Sequence, residues 1–440
     1  MKIGMKALSL VCGVLVLSAV VVAQRPVAPA LNSNPGAKYT AYVNFTGFNF
    51  NGNWGGTGKA PGNVPAYTLD GDATSFNTAE INNIKETWAR ISQKYIGFNI
   101  NVTTVDPAPS GLTDAQRQTW YDNTPFLTHA MIGGTYDWYG AAGGVSYVGV
   151  AAAATLSGGM RTNWTFPVNG SGTSPSGCTA ACAHEIGHHL GLGHQRDESN
   201  GAAYSNNGGA SGNGSYAPLM GTTYNSQRGT WRQGGTTGTW RNANDVAVLQ
   251  ANPGMGPLLD SGWGHTRETA SIMPVNNDGT INTALSKGWI MPKASTGYSA
   301  VGESSYTTDW FKFGSLGGNV SLTAHDGTSF LQNGVADPGA TMRSVLRIFS
   351  STGALVGTAI EDATTLKRTW SGNLAFGEYY AQVASYGNYT SAREPNAHYF
   401  NMGGYFLSGS GLAPVPEPAT LIGLAAGLGA LARRRRNKNA

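Results

Sequence analysis

Residues 184 to 194 read HEIGHHLGLGH. Four of the chain's eight histidines and one glutamate fall within these eleven residues. Imidazole is the commonest protein ligand for zinc, and a carboxylate beside it can move protons. On a helix each residue turns by roughly 100° and rises by about 1.5 Å. His184 and His188 therefore stand one turn apart on one face, where two imidazoles can share one zinc. His189 points roughly 100° away from His188 and is expected to face elsewhere. His194 would lie ~9 Å beyond His188 on a continued helix, outside bonding range. The chain must stop and turn back. Gly191 is where it can, because glycine accepts the positive φ of a helix C-terminal cap, and Gly193 loosens the return. The His194 imidazole then completes a three-histidine site with a fourth position left for water. Glu185 need not touch the ion. Its expected role is general base, taking a proton from a water that zinc activates and passing it to the leaving amine.

The spacing His184-Glu185-x-x-His188-x-x-Gly191-x-x-His194 resembles the signature of the metzincin clan of zinc endopeptidases. The resemblance implies an α/β (α+β) catalytic domain with a twisted sheet and an active-site helix. It implies one catalytic zinc, with a methionine turn beneath the metal. Met220, in Tyr216-Ala217-Pro218-Leu219-Met220-Gly221, is the preferred candidate for that turn. Met273, in Ser271-Ile272-Met273-Pro274, is the second, but it falls where a β-rich region has begun. In some metzincins a tyrosine two residues after this methionine reaches the zinc. Here Thr222 holds that place and Tyr224 follows two later, off the family spacing. Gln195, after the third histidine, matches none of the common subfamily choices. From Tyr39 to Leu249 the chain looks more loosely like a group of secreted bacterial reprolysin-like peptidases. The segments carrying that likeness include YTLDGDATSFN, INVTTVDP, YAPLMG and NANDVAVL. Asp70 and Asp72 could bind calcium, but a capped turn is the preferred reading. Asp245 is expected to cap a final helix. Some metzincins are kept latent by a propeptide cysteine; the only upstream cysteine is Cys12, so such a switch is not expected.

These residues need elements to hold them. Tyr39 to Phe50 alternates as a strand does. Ile81, Ile84, Trp88, Ile91 and Tyr95 line one face of a helix over 78–95, with Asn77 or Thr78 as cap and Glu80 in its first turn. Phe98, Ile100 and Val102 alternate with Asn99 and Asn101, which predicts a half-buried strand. Strands are also expected at 128–132 and 145–150, and the histidine-bearing helix at 179–190. From about residue 252 helical periodicity disappears. Short strands are expected at 310–313, 320–324, 345–349, 379–384 and 404–408, which suggests an all-β sandwich-like domain. Asp309-Trp310-Phe311-Lys312-Phe313 and Gly377-Glu378-Tyr379-Tyr380 weakly resemble the pre-peptidase C-terminal domains of secreted bacterial proteases.

Both ends read as processing segments. Lys2 and Lys6 precede an apolar run from Ala7 to Ala23, a signal peptide over 1–23 for a signal peptidase. At the other end Val415-Pro416-Glu417-Pro418-Ala419-Thr420 leads into a 14-residue apolar run and then Arg433 to Arg436. That run is short for a free-standing transmembrane helix. The trio resembles the PEP-CTERM sorting signal of Gram-negative bacteria. The resemblance implies cutting by an exosortase-type membrane enzyme, transient membrane association, and a destination at the cell surface, in extracellular matrix or in the medium. The expected order is signal peptide 1–23, linker 24–38, peptidase domain 39–251, β domain 252–411 and sorting segment 412–440.

Composition agrees with export. Gly is 62 of 440 and charged residues are 12%, which suits a turn-rich, partly β extracellular protein. Seven of the 28 basic residues lie in the two ends, leaving 21 against 24 acidic ones, so no footprint for nucleic acid exists. Cys178 and Cys182 could oxidise after export, but a bridge requires Cys178 to lie before the helix begins. The leading expectation is a secreted zinc endopeptidase acting on a protein or peptide. The rivals are a non-catalytic zinc-binding matrix or adhesion protein and a zinc hydrolase of a non-peptide amide.

Overall fold

The computed structural model describes residues 25–196, 202, 212–224, 226–232, 244–291, 308–326, 342–362, 365–386 and 401–415. The signal segment and the sorting tail from residue 416 onward lie outside them, as does most of the Gly/Asn/Ser stretch after His194. In chain order the first part contains β1 (Tyr39–Asn44), β2 (Phe48–Asn49), β3 (Asn63–Val64), α1 (Thr78–Tyr95), β4 (Ile100–Thr103), α2 (Asp114–Asp122), β5 (Leu127–Ile132), β6 (Gly144–Val145), β7 (Thr162–Thr165), α3 (Pro175–His189), β8 (Gly212–Pro218), β9 (Ser226–Thr230) and α4 (Asp245–Gln250). The second part contains β10 (Ser271–Ile272), β11 (Lys287–Ile290), β12 (Thr308–Asp326), β13 (Ser344–Ser350), β14 (Leu355–Thr358), β15 (Ile360–Glu361), β16 (Arg368–Ser385) and β17 (Gly403–Ser410). The protein is mixed α/β, with a β-rich second part.

Five strands form one sheet in the order β4-β1-β5-β7-β6. All pair parallel except β6, which runs antiparallel along the edge of β7. A parallel sheet covered on both faces needs apolar side chains on both. Ala41, Val43, Ala130 and Ile132 pack with residues of α1 and α3. Tyr42, Leu127, Met131 and Trp164 join an aromatic layer on the other side, with Tyr121 of α2.

The expected strand over 39–50 breaks in two. The Asn44 side chain accepts from Thr46 N and Oγ1 and turns the chain before β2. The strand expected at 98–102 is β4, Ile100–Thr103, and all four of its residues are buried instead of alternating. Its cover is the stretch expected to be a free linker: Ser33 N donates to Val102 O, and Asn101 bonds Ser33 N, Asn34 N and Asn32. Of the strand expected at 145–150, only Val145 is in a strand, the short β6.

Of the two expected caps of α1, Asn77 is the one used, and it forms a capping box with Glu80. Its last two turns are buried all round, including Gln93 and Lys94, which an amphipathic reading leaves exposed. The reason is the second part of the chain, which docks there. Gln93 Oε1 accepts from Gly404 N at 3.0 Å, and Met291 and Met402 join the first core. Met255 and Leu258 also pack into that core, past the expected boundary at 251.

The second part is not two separate sheets. Strands β12 and β16 are 19 and 18 residues long and pair along nearly their whole length. The expected strands at 310–313 and 320–324 are the two halves of β12. In β12 the core-facing positions are Phe311 and Phe313 before the middle, then Val320, Leu322 and Ala324 after it. The parity switches from odd to even across Gly317 and Gly318, both at positive φ. A bend there, which β-branched or bulky residues would resist, folds the ribbon so that both halves enclose one core.

His265 clamps this part to its own loops. Its Nε2 lies 2.8 Å from Asp260, and its Nδ1 is 3.5 Å from the buried Asp309. The bond to Asp309, ahead of lesser contributions, pushes the imidazole up to about 9. A raised folded value contributes stability below the unfolded value near 6.5, and that contribution is lost as pH rises through about 9. Raising the pH from 7 to 10 is therefore expected to lower the melting temperature, and His265→Gln to flatten that dependence. Equal pH slopes for both proteins would remove His265 as the cause.

Candidate metal centre

Helix α3 starts four residues earlier than expected. Ser174 caps it by accepting from Gly177 N, and Pro175 occupies the first turn, where its missing N–H costs nothing. Cys178 and Cys182 therefore both lie inside the helix, and both are free and buried. One turn of helix separates them too far for a bridge. Burial pushes the Cys178 thiol up to about 12 and Cys182 higher still. Neither is expected to react with a thiol reagent at pH 8 until the chain is unfolded, when both should titrate. Failure to recover both thiols from the unfolded mature chain would show that a bridge exists.

The C-terminus of α3 is a Schellman turn. Gly191 N donates to His188 O at 2.8 Å and Leu192 N to Gly187 O at 3.0 Å, with Gly191 at φ +91. The chain reverses there, and His194 returns toward the helix. The candidate ligand atoms of His184, His188 and His194 all lie within 4.8 Å of one another. His188 and His194 present their Nε2 atoms to each other at 3.1 Å.

The tautomers follow from the other ring nitrogens. His184 Nδ1 lies 2.8 Å from Leu219 O, and His188 Nδ1 lies 2.7 Å from Leu192 O. A carbonyl only accepts, so both Nδ1 atoms carry hydrogen and both Nε2 lone pairs face the cluster. Burial first, then the neighbouring histidines, holds His184 down to about 3; burial first, then His188 and Arg196, holds His194 down to about 4. The imidazoles are thus neutral at pH 7. The His184 and His188 lone pairs thus face a place that His194 Nε2 also reaches. The donor set of three nitrogens, two of them oriented from behind by carbonyls, fits zinc.

His189 faces away, as helix geometry requires. It is fully buried between helix and sheet, where its Nδ1 meets Thr128 Oγ1 and Asn163 Nδ2. Met220 is fully buried directly beneath α3: a Cβ on Gly187 would come within 2.8 Å of its sulfur. Met273 sits in the second core instead. The turn at 219–220 serves two neighbouring segments, since Leu219 O holds His184 and Met220 O accepts from Gln195 N.

Glu185 is buried, and desolvation pushes its carboxyl well above the usual range. Its side chain lies on β6: a Cβ on Gly144 would stand 2.7 Å from both its Cγ and Oε1. Tyr224 approaches the same edge, its hydroxyl overlapping the place where a Gly143 Cβ would be. Gly144→Ala is expected to push against both the Glu185 side chain and the Trp164 carbonyl of β7, shifting the carboxylate against the edge strand, and to lower any hydrolytic rate by ~10²-fold, the cost of a misplacement of about 1 Å. Metal binding should stay intact, which equilibrium dialysis of zinc against both proteins would check.

Asp70 and Asp72 build a turn, as preferred from the sequence. All four carboxylate oxygens accept bonds from Thr68, Asp72, Thr74, Ser75 or Asn77. Asp245 is not the cap of α4; Asn244 is, by accepting from Ala247 N. Asp245 is buried and anchors Gln195 and Arg232 instead. The sequence hint for that role was a carboxylate beside a better capping residue. Gly144, Gly187 and Arg161 were not flagged by sequence, because what they do depends on distant neighbours.

Comparison with known proteins adds the following. Residues 414–436 match the PEP-CTERM protein-sorting motif. The motif implies an exported protein of a Gram-negative bacterium, recognised by an exosortase-type sorting enzyme. No curated protein matches the chain. Among solved structures, the pre-peptidase C-terminal domain of a collagenase from Bacillus anthracis is similar at 15% identity and a TM-score of 0.20, over 32% of this chain and 93% of that one. PliG of Aeromonas hydrophila, a periplasmic inhibitor of g-type lysozyme, is similar at 18% identity and a TM-score of 0.19, over 32% of this chain and 96% of that one. Scores this low carry no argument. Among the described residues no helix is long and apolar enough to cross a membrane.

Proposed function

We propose that this chain is a secreted zinc-dependent endopeptidase with a metzincin-like catalytic domain. The observation that carries the reading is the convergence of His184, His188 and His194, two of them locked as Nδ1–H tautomers, beside a buried glutamate. His184, His188 and His194 would hold the ion. Bound there, zinc supplies a Lewis acid that acidifies water and polarises a carbonyl.

The protein's own groups do the rest. Glu185 accepts a proton from the attacking water and returns it to the leaving amine, so that water is added across the amide bond. The substrate's path is suggested by β6. Gly143 O accepts from Phe166 N, so by alternation Gly144 turns its N–H and C=O toward the open edge of the sheet. An extended peptide can add to that edge and pass its backbone beside Glu185. This favours a peptide over other amides. Met220 supports the histidines from below, and Tyr224 borders the edge strand without a ligand role assigned to it.

The full chain, purified with zinc, is expected to hold one ion and to cleave members of a mixed peptide library. A chelator should stop cleavage, and added zinc should restore it. A chain that binds zinc but cleaves no peptide would overturn the endopeptidase reading and leave its two rivals, a non-catalytic matrix or adhesion protein and a zinc hydrolase of a non-peptide amide.

A further inference from the structure

Two of the three imidazoles ride on a helix. His194 does not; it is exposed and follows the last helical turn, so its position depends on whatever holds the return segment. Helix α4 and Asn252, just past its C-cap, grip that segment on both sides of its turn. Before the turn, Asn252 Nδ2 donates to Leu190 O at 2.7 Å. At the turn, Val248 Cγ1 lies 3.8 Å from where a Gly191 Cβ would stand. After it, Gln195 Nε2 donates to Asp245 Oδ1 at 2.7 Å. Asp245 and Val248, three residues apart, share one face of α4, and Asn252 follows just after its C-cap Ala251. Asp245 is itself fixed: its Oδ2 accepts from Arg232 N at 2.8 Å, and its own N–H donates to Arg232 O at 2.9 Å. Gln195 and Asp245 are both fully buried.

We infer that Gln195 and Asp245 form a brace that positions His194 for the metal, with α4 as its rigid base. The inference rests on the reading of the three histidines as a metal site. Gln195 and Asp245 are positioning residues that act through His194. Buried partners of this kind typically change metal affinity by about 10–100-fold when removed. The bond joins an amide donor to a carboxylate, so it can be inverted. In the double variant Q195E/D245N, the amide introduced at position 245 can keep its oxygen on Arg232 N. Its NH₂ group can then donate to the carboxylate introduced at position 195.

The test measures zinc affinity by competition with a chromogenic chelator and the visible spectrum of the cobalt-substituted full chain. Q195E sets two carboxylates against each other. It is expected to lose at least about tenfold in zinc affinity and to change the cobalt spectrum. Q195E/D245N is expected to regain both. Should Q195E fail to fold, Q195L removes the bond without a buried like-charge pair and is expected to lose affinity in the same direction. Wild-type affinity and an unchanged cobalt spectrum in Q195L, which removes the bond outright, would overturn the brace, even if the melting temperature fell, since that pattern is a purely structural role. A wild-type chain that binds no zinc would instead overturn the metal site itself, and the brace with it.

Discussion

Glu185→Gln is expected to bind zinc as tightly as the unaltered chain and to lose peptide cleavage by ~10²–10⁴-fold, the usual contribution of a positioned general base. The two halves of this expectation have separate origins. Zinc binding should persist because the converging groups are His184, His188 and His194, while the Glu185 side chain lies against Gly144 on the edge strand. Cleavage should fall because Glu185 directly follows the first histidine on α3 and its buried side chain lies along the edge strand that a peptide would join. The fold should not suffer, because a neutral amide is cheaper to bury than a carboxylate held in a site that disfavours its charge. Steady-state rates on one good peptide, with zinc content and melting temperature for each protein, separate these outcomes. Cleavage at the unaltered rate would place the base elsewhere and remove the main argument for Glu185.

Arg161→Met is expected to destabilise the fold by about 3 kcal/mol or more, the scale for stripping one partner from a buried charged network. Arg161 is fully buried. Its guanidinium donates to Ala151 O at 2.8 Å, to Ala153 O at 2.7 Å and to Asp122 O at 3.3 Å. Asp122 supplies the compensating charge, with its oxygens accepting from Gly159 N and Arg161 N. Methionine preserves much of the volume but removes the donor of Ala153 O and the positive partner of Asp122, while Ala151 O keeps Phe126 N and Asp122 O keeps Leu156 N. The damage should reach the metal centre. The loop organised by Arg161 donates from Gly149 N to His188 O and from Ala151 N to His189 O, and so clamps the end of α3. Denaturant unfolding should show the loss directly, and zinc affinity should fall with it. A variant as stable as the original would mean that water replaces the guanidinium at no cost.

Much of the candidate metal site was legible because it is local. His184 and His188 lie one turn apart on a helix, and that alone sets their shared face. His189 had to point away from the cluster for the same reason. Gly191 announced the reversal that returns His194, since few other residues tolerate a φ of +91. The capping box of α1 and the strand at 127–132 were equally local. The parts that did not show were those set by distant neighbours. The burial of Gln93 depends on β17, which is remote in sequence. The length of β12 was hidden because the core-facing parity flips at Gly317 and Gly318, which reads as a break between two short strands.

The deepest division runs through the site itself. The identity and spacing of the ligands, the turn between them and the adjacent acid are properties of eleven consecutive residues. Helix geometry and glycine's φ act over that short range. Whether those ligands are in the right tautomer was decided by Leu219 O and Leu192 O. The seat of Glu185 on Gly144 and the bracing of Gln195 by Asp245 were likewise settled across the fold. Hydrogen-bond direction and close packing depend on which atoms meet in space, and a linear pattern does not carry that information until the sheet, the methionine turn and α4 have closed around the helix.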